Sequence, residues 1–349
     1  MAQVRPDQHS GCYLRVPGLL GPIPADAREL VHASPAMARL AGLLSRAHLT
    51  RRAEAVTGVP GFTLEPSDRA APAGPLALLG AGGVPGDDYW FRADPIHLLA
   101  DRDQLRLLGP ETLDIDQEEA RQLARAFNDY FRDDGLELVT PLPDAWFLRC
   151  STPPRVQTVP LHTARDVPLG SVQPRGEDAS WWQARLNETQ MLFHGHAVNQ
   201  NRERQGSLLV NGIWPWGGGV LPRVSGRWNT VFADDPLVRG LGVAAGLVVR
   251  HWPREAEPVL QAAETGRTLA VAPELPVVRD GESFQAWEAA VQDFCEAWAE
   301  PLERSLRQRG CASLTLDVGH DVAPRRLTPA SRLAFWRRRR SFVSLLASA

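Results

Sequence analysis

Along this chain, apolar and polar positions alternate with two different periods, and the periods predict its elements. The stretch "SPAMARLAGLLSRAHL" repeats apolar residues near every 3.6 positions, which predicts an amphipathic helix. "YLRVPGLLG" reads as an opening strand and turn, and "YWFRADPIHLLADRDQLRLLG" as two strands joined by a tight polar turn at Asp101 to Asp103. Asp116 with Glu119 three residues later marks a helix start, after which Ala120, Leu123, Phe127 and Tyr130 fall on one face. A second helix is predicted from Ser180 as N-cap through "WWQARLNETQMLF", with Trp182, Leu186 and Phe193 on a buried stripe. A third covers "SFQAWEAAVQDFCEAWAEPLERSLRQRG", closed by its terminal glycine, and the strand "ASLTLDV" follows. The last helix starts at Thr328-Pro329 and carries Trp336 and Arg337 to Arg340. Glycine and proline make "AAPAGPLALLGAGGVPGDD", Ala70 to Asp88, a loop and the first boundary. Strands alternating with helices predict an α/β class.

Composition narrows the function classes. With 349 residues, 44% of them hydrophobic, the chain can bury one large core or two moderate ones. A net charge of -3 supplies no basic field, so nucleic acid is not an expected partner. No apolar run of about 18 residues and no signal-like start is seen, so no membrane partner and a cytoplasmic location are expected. Cys12, Cys150, Cys295 and Cys311 are scattered without a CxxC pair, so reduced thiols are expected. All 38 basic residues are arginine, which excludes chemistries that need a lysine amine. Four arginines in a row point around a helix in all directions, and Arg337 to Arg340 read as a solvated or acid-paired face.

The densest chemistry lies in "HGHAVNQNRERQGSLLVNGIWPWGGG", His194 to Gly219. His194 and His196 read as hydrogen-bonded structural histidines, with joint metal ligation the alternative: their spacing puts them on different faces of a helix and side by side only in a strand or bent loop. Asn199 and Asn211 either order backbone turns or hold ligand hydroxyls. Arg202 offers a rigid fork of donors suited to phosphate or carboxylate, and equally suits a solvated helix face. Trp214 and Trp216 alternate across Pro215 into Gly217, Gly218 and Gly219, so a strand is expected to end there in a turn whose bare amides can cradle an anion.

Order and spacing in this stretch resemble a known pattern. "HAVNQNRERQG" and "NGIWPWGGG" follow the form HPVNxxRxxxG then N-x-x-W/L-x-x-G-x-G, with Ala197 in place of the proline. Upstream, "RADPIHLLADRDQLRLLGPETLDIDQEEARQLARAFN", "WFLRC" and "HTARDVPLG" are similar to the preceding segments of the same pattern; downstream, "VFADDPLVRGLGVAAGL" resembles its return helix. Over Tyr89 to Leu247 the chain resembles RpfE-type bacterial regulatory proteins and, more distantly, archaeal-type cofactor-independent phosphoglycerate mutases.

That resemblance implies a degenerate alkaline-phosphatase-like α/β core, formed by residues 1–85 and 211–349, with an inserted α+β domain at 86–210. By position it makes Arg149, Asp166 and Arg202 ligand contacts, with His196, Asn199, Asn211, Trp214, Trp216 and Gly217 around them. Such mutases bind two divalent metals through aspartates and histidines. The expected strand-end aspartate is missing from "LRVPGLLG", and "LTLDVGHDVAP" holds Asp317, His320 and Asp321 at altered spacing, read first as a polar turn and alternatively as a single-metal site. The expectation is therefore a non-catalytic, mutase-like regulatory or binding protein for an anionic phosphorylated metabolite, with no cofactor and no catalytic residues. The alternative is a metal-dependent phosphotransferase or phosphohydrolase using manganese or zinc at a rearranged site.

Overall fold

The computed structural model describes residues 10–28, 30–51, 58–66, 71–101, 104–165, 169–278, 281–319, 322–333 and 339–346. The chain divides into two compact units. One comprises Met1–Phe62, Gly226–Gly242 and Gly246–Ala349; the other comprises Thr63–Ser225 with Val243–Ala245. The chain passes between them near Phe62 and Gly226.

The first unit is built on a seven-stranded sheet. Its strands run in the order Val248–Arg250, Thr230–Phe232, Arg267–Val271, Gly11–Arg15, Leu314–Asp317, Arg325–Leu327 and His48–Leu49. The first five are mutually parallel, and the last two run antiparallel to their neighbours. Parallel strands sit between helical layers and so read as continuous apolar runs, as "GCYLR" and "RTLAV" do here. Helices Pro35–Arg46, Glu257–Thr265 and Gly281–Gln308 bury one common core with these strands. Ser34 caps the first of them by accepting from the Met37 N–H. The long helix buries Phe284, Trp287, Val291, Phe294, Trp298, Leu302 and Leu306 on one stripe. Two indoles are tied down as they are buried: Trp287 donates to the Gly18 carbonyl at 2.8 Å and Trp298 to that of Arg254 at 3.2 Å. Arg309, not Gly310, takes the left-handed turn at its end, with φ 57°.

The second unit carries a five-stranded antiparallel sheet, ordered Gly212–Gly219, Tyr89–Asp101, Ala145–Cys150, Leu136–Leu142, with Gln104–Leu108 paired to the far half of Tyr89–Asp101. Helices Gln117–Tyr130, Ala179–His194 and Ala197–Arg204 cover one face and bury Phe91, Ala93, Leu123, Phe127, Trp146, Leu148 and Phe193. The predicted capping box is present: Asp116 accepts from the Glu118 and Glu119 N–H groups, and Glu119 accepts from that of Asp116. The Ala179–His194 helix starts two residues early, with Asp178 rather than Ser180 at its N-cap position.

Three expectations are corrected. Within Ala70 to Asp88, Ala73–Gly80 is a helix, buried through Leu78 and packed on strands Tyr89–Asp101 and Gly212–Gly219. Its prolines stand before and within the first turn, where no backbone N–H is needed, and its small residues admit close approach: a Cβ on Gly74 would lie 2.5 Å from the Trp90 carbonyl oxygen. Second, the strand through Trp214 and Trp216 does not stop at the glycines but runs to Gly219, with a register shift between Trp216 and Gly219. Gly217 there has φ 62°, and a Cβ on it would meet Ala73 Cβ at 2.6 Å. Third, Pro329–Leu333 is a 3-10 turn rather than the start of a long helix, and Trp336, Arg337 and Arg338 lie outside the described residues.

Candidate functional site

The His194 to Gly219 stretch folds as two helices and a strand, and most of its polar side chains close hydrogen bonds with its own backbone. His194 ends the Ala179–His194 helix, exposed. His196 is the N-cap of Ala197–Arg204, where its Nδ1 accepts from the Val198 N–H at 3.2 Å. Burial lowers its pKa, and the acceptor role of Nδ1 favours the same neutral ring. Asn199 is buried; its amide donates to the carbonyls of Phe193 at 2.7 Å and Val210 at 2.8 Å, and its oxygen accepts from the Val210 N–H at 2.9 Å. Asn211 does the same service at a strand, accepting from the Leu98 N–H at 2.7 Å and donating to the Leu98 carbonyl at 3.0 Å. Both asparagines follow the backbone-ordering alternative.

Arg202 is the residue whose placement differs most from its expected role. Its side chain is 3% exposed and faces into the chain. Nε donates to the Leu208 carbonyl at 2.8 Å, Nη1 to Glu119 Oε2 at 2.6 Å, and Nη2 to the Leu113 carbonyl. The Glu119 oxygen that holds Arg202 also accepts from the Asp116 N–H, so the arginine fastens a capping box to the neighbouring helix.

Arg149 lies on the other face of the sheet. Leu148 and Cys150, its neighbours along the strand, are buried with the helices, so by the two-residue period Arg149 is turned away from them. Arg149 and Arg202 therefore do not converge. Arg149 pairs with Glu137 Oε2 at 2.7 Å and Asp88 Oδ2 at 3.5 Å. Burial pulls its guanidinium down, but the hydrogen bond and charge of Glu137, with Asp88, outweigh this and hold it above the usual arginine value.

The Arg149 face also carries Arg92 and Asp94, which the sequence motifs did not single out. Trp90 pairs with Arg149, and Arg92 pairs with both Phe147 and Trp216, so the period places Trp90, Arg92 and Asp94 on Arg149's face. Asp94 is 2% exposed and accepts from Arg92 Nε and from the Trp216 indole N–H, each at 2.6 Å. The Arg92 guanidinium stands 6.0 Å from the Trp216 ring centre, and His162 meets that ring edge-on at 6.4 Å. Trp214, one pleat further, is buried and donates to the Val159 carbonyl at 2.8 Å. A buried carboxylate that orients one guanidinium, beside a second guanidinium on the same face, is an arrangement that suits an anion or a hydroxyl-bearing acid. The signal in the sequence was the "RADP" segment opposite "WPW", whose cross-strand register only the fold supplies.

Asp166, His320 and Asp321 lie outside the described residues. Asp317 ends its parallel strand fully buried, accepting from the Tyr13 hydroxyl at 2.8 Å and the Gly319 N–H at 3.0 Å. Among the described residues no three His, Cys, Asp or Glu side chains stand close enough to hold a metal ion, so the donor set on view does not fit a two-metal centre. The four cysteines are buried free thiols; burial pushes Cys150 and Cys295 up to about 12, unsuited to nucleophilic attack. No helix among the described residues is long and apolar enough to cross a membrane.

This architecture is a mixed α/β fold with a mostly parallel sheet, and over part of its length the chain has weak similarity to cofactor-independent phosphoglycerate mutases. It is 33% identical over 97 residues to a probable 2,3-bisphosphoglycerate-independent phosphoglycerate mutase of Geobacter sulfurreducens, covering 26% of this chain and 24% of that one. It is 32% identical over 93 residues to the 2,3-bisphosphoglycerate-independent phosphoglycerate mutase of Methanothrix thermoacetophila, covering 25% and 24%. The chain thus spans about a quarter of the length of the curated relatives it matches. No family model matches it. Among solved structures, the PH0037 protein from Pyrococcus horikoshii shares its fold, with a TM-score of 0.52 at 15% identity over 91% of this chain and 86% of that one. A cofactor-independent phosphoglycerate mutase from Thermoplasma acidophilum gives 0.45 at 16%, over 92% and 89%.

Proposed function

We propose that the chain is a mutase-like regulatory or binding protein of the cytoplasm, of the RpfE type, whose second unit takes an anionic phosphorylated metabolite. The observation that carries this reading is the single sheet face bearing Arg92, Asp94, Trp216 and Arg149. Arg149 is clasped by carboxylates at the surface, and an incoming phosphate would take over the guanidinium from Glu137 and Asp88. Asp94 keeps Arg92 in place throughout. The similarity to phosphoglycerate mutases supports a phosphorylated hydroxy acid as the ligand class.

The alternative is a metal-dependent phosphotransferase or phosphohydrolase, favoured by the activity that both curated relatives carry in their names. It would assemble a rearranged manganese or zinc site from Asp317, His320 and Asp321.

Thermal shifts with 3-phosphoglycerate, with and without manganese, separate the two. A ligand at about 100 times its Kd stabilises by roughly 2.7 kcal/mol. The binding reading expects a shift with 3-phosphoglycerate alone that Arg149→Ala abolishes. A shift and turnover that both require manganese, lost in His320→Ala, would establish the enzyme instead, and no shift under either condition overturns both.

A further inference from the structure

The second unit holds a cavity of about 270 Å3 away from the arginine face, where the Leu136–Leu142 and Ala145–Cys150 hairpin ends against the first turn of the Ala179–His194 helix. Trp181 and Trp182 line it from the helix, and Thr152, Pro153 and Pro154 line it from the loop after Cys150. Trp181 is 38% exposed, unusual for an indole, and its ring is steadied by the Arg185 guanidinium at 4.8 Å from the ring centre and by Trp182 edge-on at 5.6 Å. An indole so held offers a stacking surface at little entropic cost.

The charges and donors around the cavity define what fits. Two carboxylates border it, and each is already met by an arginine: Asp134 by Arg185 at 2.7 Å and Asp178 by Arg155 at 3.4 Å. With no surplus positive charge, the site does not suit an anion. Asp178 stands at the helix N-cap but leaves the first turn uncapped, because its carboxylate accepts from the Arg155 backbone N–H at 2.7 Å instead. Beside these carboxylates stand an apolar ring platform and the rings of two prolines.

We propose that this cavity is a second ligand site, for an uncharged, flat aromatic ring. The ring stacks on Trp181, and the two bordering carboxylates, already paired, favour a ligand without negative charge. This site does not rest on the anion reading, and its ligand chemistry is the opposite of that face's.

Titration of the whole chain with benzamide, followed by ligand-detected NMR and calorimetry, tests it. Saturable 1:1 binding is expected, with benzoate binding more weakly than benzamide. Trp181→Ala should raise the benzamide Kd about tenfold, whereas Trp181→Phe, which restores a ring, should keep it within about threefold of the parent. Thr152→Trp puts a bulky side chain into the cavity from the loop after Cys150, leaving Trp181 itself unchanged, and should abolish binding. Neither Trp181 variant should alter the response to 3-phosphoglycerate, so this proposal and the anion reading fail separately. Non-saturable binding overturns the site, as does a benzamide Kd unchanged in Thr152→Trp, or unchanged in a Trp181→Ala protein that still melts cooperatively.

Discussion

The two faces of the antiparallel sheet use polar residues in opposite ways. On the face covered by Gln117–Tyr130, Ala179–His194 and Ala197–Arg204, Arg202 and Asn199 are buried and close every named bond onto backbone carbonyls, a backbone N–H or Glu119. On the other face, Arg149 is paired only to partly exposed carboxylates, and Arg92 is oriented by a buried one. A guanidinium whose acceptors are fixed carbonyls in a dry interior cannot be lent to a ligand without unpairing them. One whose acceptors are mobile surface carboxylates can exchange partners at little cost.

Substitution on each face should break that contrast in different observables. The largest effect is expected for Arg202→Ala, which strands Glu119 and three backbone carbonyls and should destabilise the protein by about 3–5 kcal/mol in denaturant unfolding. Asn199→Ala comes next, at about 2–3 kcal/mol, because it unpairs the carbonyl and the N–H of Val210 at a buried site. Arg149→Ala should cost less than about 1 kcal/mol, since its ion pairs are partly exposed, while removing the response to 3-phosphoglycerate. If Arg149→Ala unfolds the protein and Arg202→Ala only weakens ligand binding, the assignment of the two faces is reversed.

The smallest effect sharpens the contrast at the helix start. Burial lowers the folded pKa of His196 below its ordinary 6.5. The unfolded chain therefore takes up the proton first as pH falls, so this residue's contribution is complete above pH 6.5 and is lost as pH drops below it. A pH series of melting temperatures should show that decline, and His196→Asn, which keeps a capping side chain without a titratable ring, should flatten it.

Local chemistry was legible in the sequence wherever neighbours along the chain decide it. Asp116 and Glu119 announced their capping box, the 3.6-residue period of Pro35–Arg46 its helix, and the apolar runs at Gly11–Arg15 and Leu314–Asp317 their strands. The misread elements share one cause. Ala73–Gly80 has the glycine and proline content of a loop, yet it is a helix because small residues let it sit directly on a strand backbone. The glycine triplet has the look of a turn, yet Gly217 and Gly219 make room for that same helix. Propensity counts the cost of glycine to an isolated element and is blind to the partner that needs its missing side chain.

The candidate site divides along the same line. The sequence by itself determined which residue types are present: arginine as the sole cation, with tryptophans and amides crowded between His194 and Gly219. Only the tertiary structure decided which of them face outward. Arg202 and Arg149 are equivalent forks on paper, but one sits where carbonyls at Leu113 and Leu208 surround it and the other where a strand turns it to partly exposed carboxylates on the opposite face. Hydrogen-bond donors are spent on whatever acceptors the fold brings within about 3 Å, and that distance is a property of register and packing rather than of residue order.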